Sequence, residues 1–339
     1  WIKCFSFRKF VSLWKFRVQN MTFGKYITAA LIALAAVACT GQSGKNNTQQ
    51  AAKVAEPKKI ALPELPGFIN NQQEATEYMA EHYWDLFDFA DTTYIDTLQS
   101  IEIAFGQYTK LLTMVAPELA CKSMKGTMTK AQKCKPMFDE FAAHAEKYLY
   151  DPNSPVKNEE AYIGALEVMA TTPLYDEWEK IRPQSQLTLA LKNRLGTRAT
   201  DFGYVTKTGS RGTLYSIRAP YTLLFINNPG CPACKDVREQ ISASQMLTEL
   251  INEGVIKVLA LYPDEDLKEW YDYQPNMPDN WINSYDKSMK MKNDELYDLR
   301  AIPTLYLLDQ DKVVLLKDCM SIPTIEQVIY YRDYYNNQQ

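Results

Sequence analysis

The sequence predicts an all-α region followed by an α/β region in which a mixed central sheet is flanked by helices. Three observations carry that prediction. Between residues 64 and 195 apolar side chains recur at helical intervals. After Gly196 the texture changes to short β-branched and aromatic runs bounded by turn residues. Strand-like and helix-like stretches then alternate, as a layered α/β sheet requires. A chain of 339 residues with 46% hydrophobic content can supply two packed cores.

Taken in order, residues 1–38 read as an upstream and signal segment. Trp1 to Asn20 precede Met21, a natural initiator, and Met21 opens a short basic start ending at Lys25. The apolar run Ile27 to Ala38 follows, then Cys39. A basic start, a short apolar stretch and small residues at its end make an export signal, and the run is too short to span a bilayer comfortably. Ala36-Val37-Ala38-Cys39 resembles the lipobox of bacterial lipoproteins, which implies that Cys39 is diacylated after cleavage; ordinary cleavage after Ala-x-Ala is the alternative. Residues 39–63 then form a lipidated cysteine and a flexible linker, because Gly, Ser, Asn, Gln, Lys and Ala leave little to bury.

Helices are expected at Asn71 to Ala90, Leu98 to Pro117, Lys130 to Tyr150, Asn158 to Ala170 and Tyr175 to Lys192, with Asn70 or Asn71 as the first N-cap. They make residues 64–195 a helical domain. In residues 196–339, Asp201 to Val205 and Thr213 to Ile217 read as a hairpin around Thr208-Gly209-Ser210. Tyr221 to Ile226 and Val255 to Tyr262 read as buried strands. A helix starts at Pro232, Ile302 to Leu308 and Lys312 to Lys317 form a second hairpin, and Thr324 to Tyr335 closes the chain as a helix.

Bulk charge narrows the function. The net charge of −4 comes from interspersed acidic and basic residues, so no single-sign face exists to hold a nucleic acid. Histidines number two, His82 and His144, too few for a nitrogen-rich metal site. Cysteine is the chemically informative residue. Gly230-Cys231-Pro232-Ala233-Cys234-Lys235 holds a Cys-x-x-Cys between a buried strand and a helix. Haem attachment would need His where Lys235 stands, and zinc would need a second close ligand pair; Cys121 and Cys134 are spaced too widely. No metal is expected. At a helix start, unpaired backbone N–H groups and the helix dipole favour a thiolate, which makes Cys231 the nucleophile and Cys234, one turn along, the resolving thiol. Pro232 suits the first helical position.

This dithiol, together with Arg300-Ala301-Ile302-Pro303-Thr304-Leu305, resembles the thioredoxin superfamily, and within it the extracytoplasmic TlpA/ResA type; the likeness covers roughly residues 198 to 339. It implies a thioredoxin-like fold, a cis-proline at Pro303 facing the dithiol, and Ile302 as its substrate-facing neighbour. It also implies protein thiol or disulfide substrates, a redox donor in the membrane, and no organic cofactor. Trp, usual before the first cysteine of the family, is replaced here by Asn228-Pro229-Gly230. Oxidant, reductant and isomerase share these residues, and a non-enzymatic binding or scaffold lipoprotein is the rival function.

Cys121 and Cys134 flank a Gly- and Thr-bearing turn between two expected helices, and an exported protein can keep such a pair as a structural disulfide. Cys319 reads as a buried or unpaired thiol. Trp270, Tyr271, Tyr273, Trp281 and Tyr285 cap the core of a loop or line a groove above the dithiol.

Overall fold

The computed structural model describes residues 59–96 and 99–336. All of them belong to one compact unit. Its first part is helical: α1 (Gln72–His82), α2 (Gln99–Leu112), α3 (Pro117–Ala131), α4 (Lys135–Ala145, continuing through a π turn, Glu146–Tyr150), α5 (Glu159–Met169) and α6 (Glu177–Ala190). The caps are local in origin. Asn71 accepts from the Glu74 N–H and Asn158 from the Ala161 N–H, while Asp176 and Glu179 close a reciprocal capping box. Each such cap contributes about 1 kcal/mol by satisfying an orphan donor of the first turn.

An aromatic core holds the bundle together. Trp84, Phe105, Tyr108, Phe138, Phe141 and Tyr162 are all buried. The Trp84 ring meets Phe141 edge-on at 5.0 Å between centroids, a favoured aromatic geometry. The first helix is shorter than its periodicity suggests. It ends at His82, after which Tyr83, Trp84 and Phe87 turn into the core and Leu86 is left exposed.

Residues 117–131 were expected to hold a turn and instead form α3. Pro117 starts this helix, where its missing N–H costs nothing, and Gly126 lies on the exposed face. Ala120, Met124, Thr127, Met128 and Ala131 make a buried stripe on the opposite side. The apolar stripe outweighs the roughly 1 kcal/mol that a helical glycine costs relative to alanine.

The second part is a seven-stranded sheet in the order β2-β1-β5-β4-β3-β6-β7. The strands are β1 (Gly203–Thr206), β2 (Arg211–Thr213), β3 (Tyr221–Ile226), β4 (Ile256–Tyr262), β5 (Ile282–Tyr285), β6 (Thr304–Asp309) and β7 (Val314–Leu316). β3, β4 and β5 are parallel, and every other pairing is antiparallel. Helices α7 (Pro232–Ala243), α8 (Gln245–Asn252), α9 (Leu267–Tyr273) and α10 (Ile322–Asn336) complete the layers. β3 is an interior strand, flanked by β4 and β6, and is buried along its whole length, as its unbroken apolar run requires.

Two expectations change here. The run Thr213 to Ile217 is strand only to Thr213, because Leu214–Ser216 form a 3₁₀ turn that buries Leu214. The aromatic stretch between β4 and residue 300 is not one loop: it contains α9 and β5. β5 escapes notice because Asn283 and Ser284 interrupt its apolar pattern. Both are buried, with the Ser284 hydroxyl donating to the Ala260 carbonyl at 3.0 Å.

Candidate functional site: a dithiol at a helix start

β3 delivers the chain to the sheet's end, and residues 227–230 turn it into α7. Gly230 has φ +72, a left-handed conformation that favours glycine, and a Cβ there would stand 3.1 Å from Glu269 Oε1 of α9. Cys231 is the N-cap of α7 and Pro232 its first residue. The Cys231 sulfur accepts the Cys234 N–H at 3.3 Å, so the side chain that carries the chemistry also caps the helix. It is half-buried, and both cysteines are free thiols.

Cys234 is the more deeply buried of the pair. It is 3% exposed and packs among apolar residues of β3, α7 and α10, with its sulfur accepting the Asn228 N–H at 3.4 Å. Burial pushes the Cys234 thiol up to about 12; the Asn228 N–H opposes the shift and the neighbouring Cys231 adds to it. Cys234 is therefore protonated throughout the neutral range. With iodoacetamide at pH 8, the reduced protein should be alkylated at Cys231 and spared at Cys234, read by peptide mass mapping. Equal labelling of the two would contradict the difference in their surroundings.

The Ile302–Pro303 peptide is cis, and Cys231 Sγ lies 3.8 Å from the Ile302 carbonyl oxygen. β6 pairs antiparallel with β3, with Thr304 opposite Ile226, which brings residues 302–304 beside the start of α7. Four residues named from the sequence thus meet at one end of the sheet: Cys231, Cys234, Ile302 and Pro303. Cys39 lies outside the described residues.

The disulfide expected between Cys121 and Cys134 is not formed; both are free thiols. Cys121 lies within α3, and about 15 Å of helix axis separates it from the end of that helix, whereas a disulfide holds its two Cα atoms within about 7 Å. Cys134 occupies the N-cap position of α4, but its sulfur makes no capping bond and lies instead 3.8 Å from the Phe89 carbonyl oxygen. Cys319 is half-buried against the same apolar cluster as Cys234, and its N–H donates to the Leu305 carbonyl.

The aromatic cluster divides. Trp270 and Tyr285 pack with Val205 and Tyr262 in a core of their own, and Trp281 meets Phe225 edge-on within the main core. Tyr271 is exposed. Tyr273, like Trp281, belongs to the apolar cluster that holds both cysteines. Its hydroxyl accepts from Arg238 Nη1 at 2.9 Å. Burial raises the Tyr273 phenol above its usual range even though the Arg238 charge opposes that shift. Sequence reasoning missed Arg238, although it stands one helical turn after Cys234 and so shares its face. Lys235 is exposed, 3.9 Å from Glu239.

Comparison with known proteins adds an independent line. Residues 38–193 match a family model described as a domain of unknown function, DUF5106. A crystal structure of a thioredoxin-like protein from Bacteroides caccae is 43% identical, with a TM-score of 0.77 over 80% of this chain and 99% of that one. The C-terminal domain of an uncharacterized protein from Bacteroides fragilis is 51% identical over 40% of this chain and 96% of its own, with a TM-score of 0.39. The thioredoxin domain of a thiol-disulfide oxidoreductase from Bacteroides vulgatus is 14% identical over 42% of this chain and 97% of its own, with a TM-score of 0.36. No curated protein matches the chain.

Proposed function

The chain belongs to the thioredoxin-like family, and on that premise we propose that it catalyses thiol-disulfide exchange with protein substrates through Cys231 and Cys234. One observation carries the proposal: an accessible thiol caps a helix, lies 3.8 Å from the backbone beside a cis-proline, and has a buried partner one turn away.

In the reducing direction the Cys231 thiolate attacks one sulfur of a substrate disulfide. A Cys231–substrate S–S bond forms, the substrate bond breaks, and the leaving thiolate takes up a proton. Cys234 then loses its proton and attacks the Cys231 sulfur. The Cys231–Cys234 disulfide forms, the second substrate thiol leaves, and two electrons have passed from the dithiol to the substrate. A dithiol donor must reduce the pair before the next turnover; the oxidising direction is the same sequence reversed.

The raised pKa of Cys234 suits the resolving role, because a protonated thiol stays silent until the mixed disulfide has formed. Cys234→Ser removes that second step. The expected result is accumulation of proteins joined to Cys231 and released by dithiothreitol, detected on non-reducing gels. If no adduct accumulates and the purified protein cannot reduce or oxidise a model disulfide, the enzyme function falls and a scaffold role takes its place.

The same proposal puts the protein in the cell envelope, tethered through an acylated Cys39. No helix among the described residues is long and apolar enough to cross a membrane. Cys39→Ala should move the protein from the membrane to the soluble fraction on ultracentrifugation; unchanged retention would count against the tether.

A further inference from the structure

The segment that faces the dithiol is held from the helical part of the molecule at two points. Upstream, the Arg300 guanidinium lies over the Tyr150 ring, 3.3 Å from its centroid, while its Nε and Nη2 grip the Asp298 carboxylate. Tyr150 in turn stacks on Tyr162, with ring centroids 4.6 Å apart, and Tyr162 is fully buried in the helical core. Downstream, the Thr304 hydroxyl donates to Asp318 Oδ1 at 2.8 Å, and the other Asp318 oxygen pairs with Lys157, in the loop before α5. A third tie runs from Lys317 to Glu159 at 2.5 Å, with the same ammonium donating to the Lys192 carbonyl at 2.8 Å.

Two ion pairs thus cross this contact, Lys157 with Asp318 and Lys317 with Glu159, and the Arg300 cation crosses it onto the Tyr150 ring. The Lys157 and Asp318 side chains are 25% and 26% exposed, so the pair is largely withdrawn from the solvent that weakens surface ion pairs. Arg300 and Thr304 bracket Ile302 and Pro303, and the carbonyl they bracket is the one beside Cys231 Sγ. Any partner bonded to Cys231 must lie against that backbone.

We propose that the helical region is the positioning frame of the substrate cleft, with Tyr150 and Lys157 as positioning residues that set residues 301–304 for an extended protein disulfide. The proposal rests on the thiol-disulfide function above. A cleft so held affects substrates that lie along it and leaves the sulfur chemistry untouched, so a small disulfide that reaches only Cys231 is insensitive to the frame.

The test uses the full chain with Tyr150→Ala and Lys157→Met, and with Tyr150→Phe and Lys157→Arg as conservative controls. Hydrogen exchange of the amides of residues 301, 302, 304 and 305, Pro303 having none, should quicken in the first two variants and return to the wild-type rate in the controls. In turnover, KM for a disulfide-bonded peptide should rise roughly fivefold to tenfold with kcat little changed, the mark of lost binding rather than lost chemistry. Turnover of bis(2-hydroxyethyl) disulfide should stay at the wild-type rate. Unchanged exchange at 301–305, or equal losses on both disulfides with faster exchange across the whole helical region, would overturn the frame. If the wild type turns over neither disulfide, the redox function fails, and the exchange measurement alone still decides whether the frame holds the segment.

Discussion

Cys231→Ser should abolish disulfide exchange, lowering the rate of insulin reduction at least about a thousandfold, to the uncatalysed background. The size of the loss follows from bond chemistry. A serine hydroxyl is scarcely ionised near neutral pH and cannot form the S–S bond through which the electrons pass. The fold should survive, since a serine oxygen at the N-cap can accept the Cys234 N–H that the sulfur accepts now. Circular dichroism and the unfolding midpoint should therefore remain near wild type while activity disappears. Cys319→Ser is the matching control. Cys319 shares the apolar cluster but makes no contact with the Ile302 carbonyl among those described, and its loss should leave the rate within about twofold of wild type. Full activity in Cys231→Ser would sink the assignment of the nucleophile.

Gly164→Ala should destabilise the helical region by about 2–3 kcal/mol, the strongest stability effect expected of so small a change. An added Cβ at Gly164 would stand 2.2 Å from the Cys121 carbonyl oxygen and 3.0 Å from the Lys125 nitrogen. Both are backbone atoms of α3, so no flexible side chain can swing aside; α3 and α5 must move apart and open the core around Met124 and Ile163. Intrinsic helix propensity acts in the opposite sense, since alanine gains about 1 kcal/mol over glycine in a helix interior. The sign of the measured change therefore separates packing from propensity. Gly126→Ala, in α3 with nothing within 4 Å of the new methyl group, should instead stabilise by up to about 1 kcal/mol. Urea unfolding of the two variants followed by far-ultraviolet circular dichroism decides the matter. Equal stability of Gly164→Ala and wild type would refute the close crossing of α3 and α5.

The strong local signals located the elements of the sheet region well. Tyr221 to Ile226 and the Cys231-Pro232 helix start are set by short-range rules: an unbroken apolar run reads as a buried strand, and proline suits the first turn of a helix. Signals that depend on distant partners were illegible. Gly126 looked like a turn because its exposed side of α3 carries no signal, while the buried side matters only once α5 lies against it. Ile282 to Tyr285 looked like a loop because Asn283 and Ser284 break its pattern; the Ala260 carbonyl that satisfies Ser284 belongs to another strand.

The dithiol divides along the same line. By itself the sequence determined that two cysteines stand one turn apart at the start of a helix, since spacing and capping are local. Their order along that helix also separated an expected nucleophile from an expected resolving thiol, and only the tertiary structure decided how differently the two are buried. Burial beneath the core keeps Cys234 protonated, while Cys231 meets the Ile302 carbonyl because β6 folds back antiparallel to β3. The ties from Tyr150 and Lys157 have no sequence signature for the same physical reason. Stacking and ion pairing act over a few ångströms between groups about 150 residues apart in the chain, and only the fold brings them within reach.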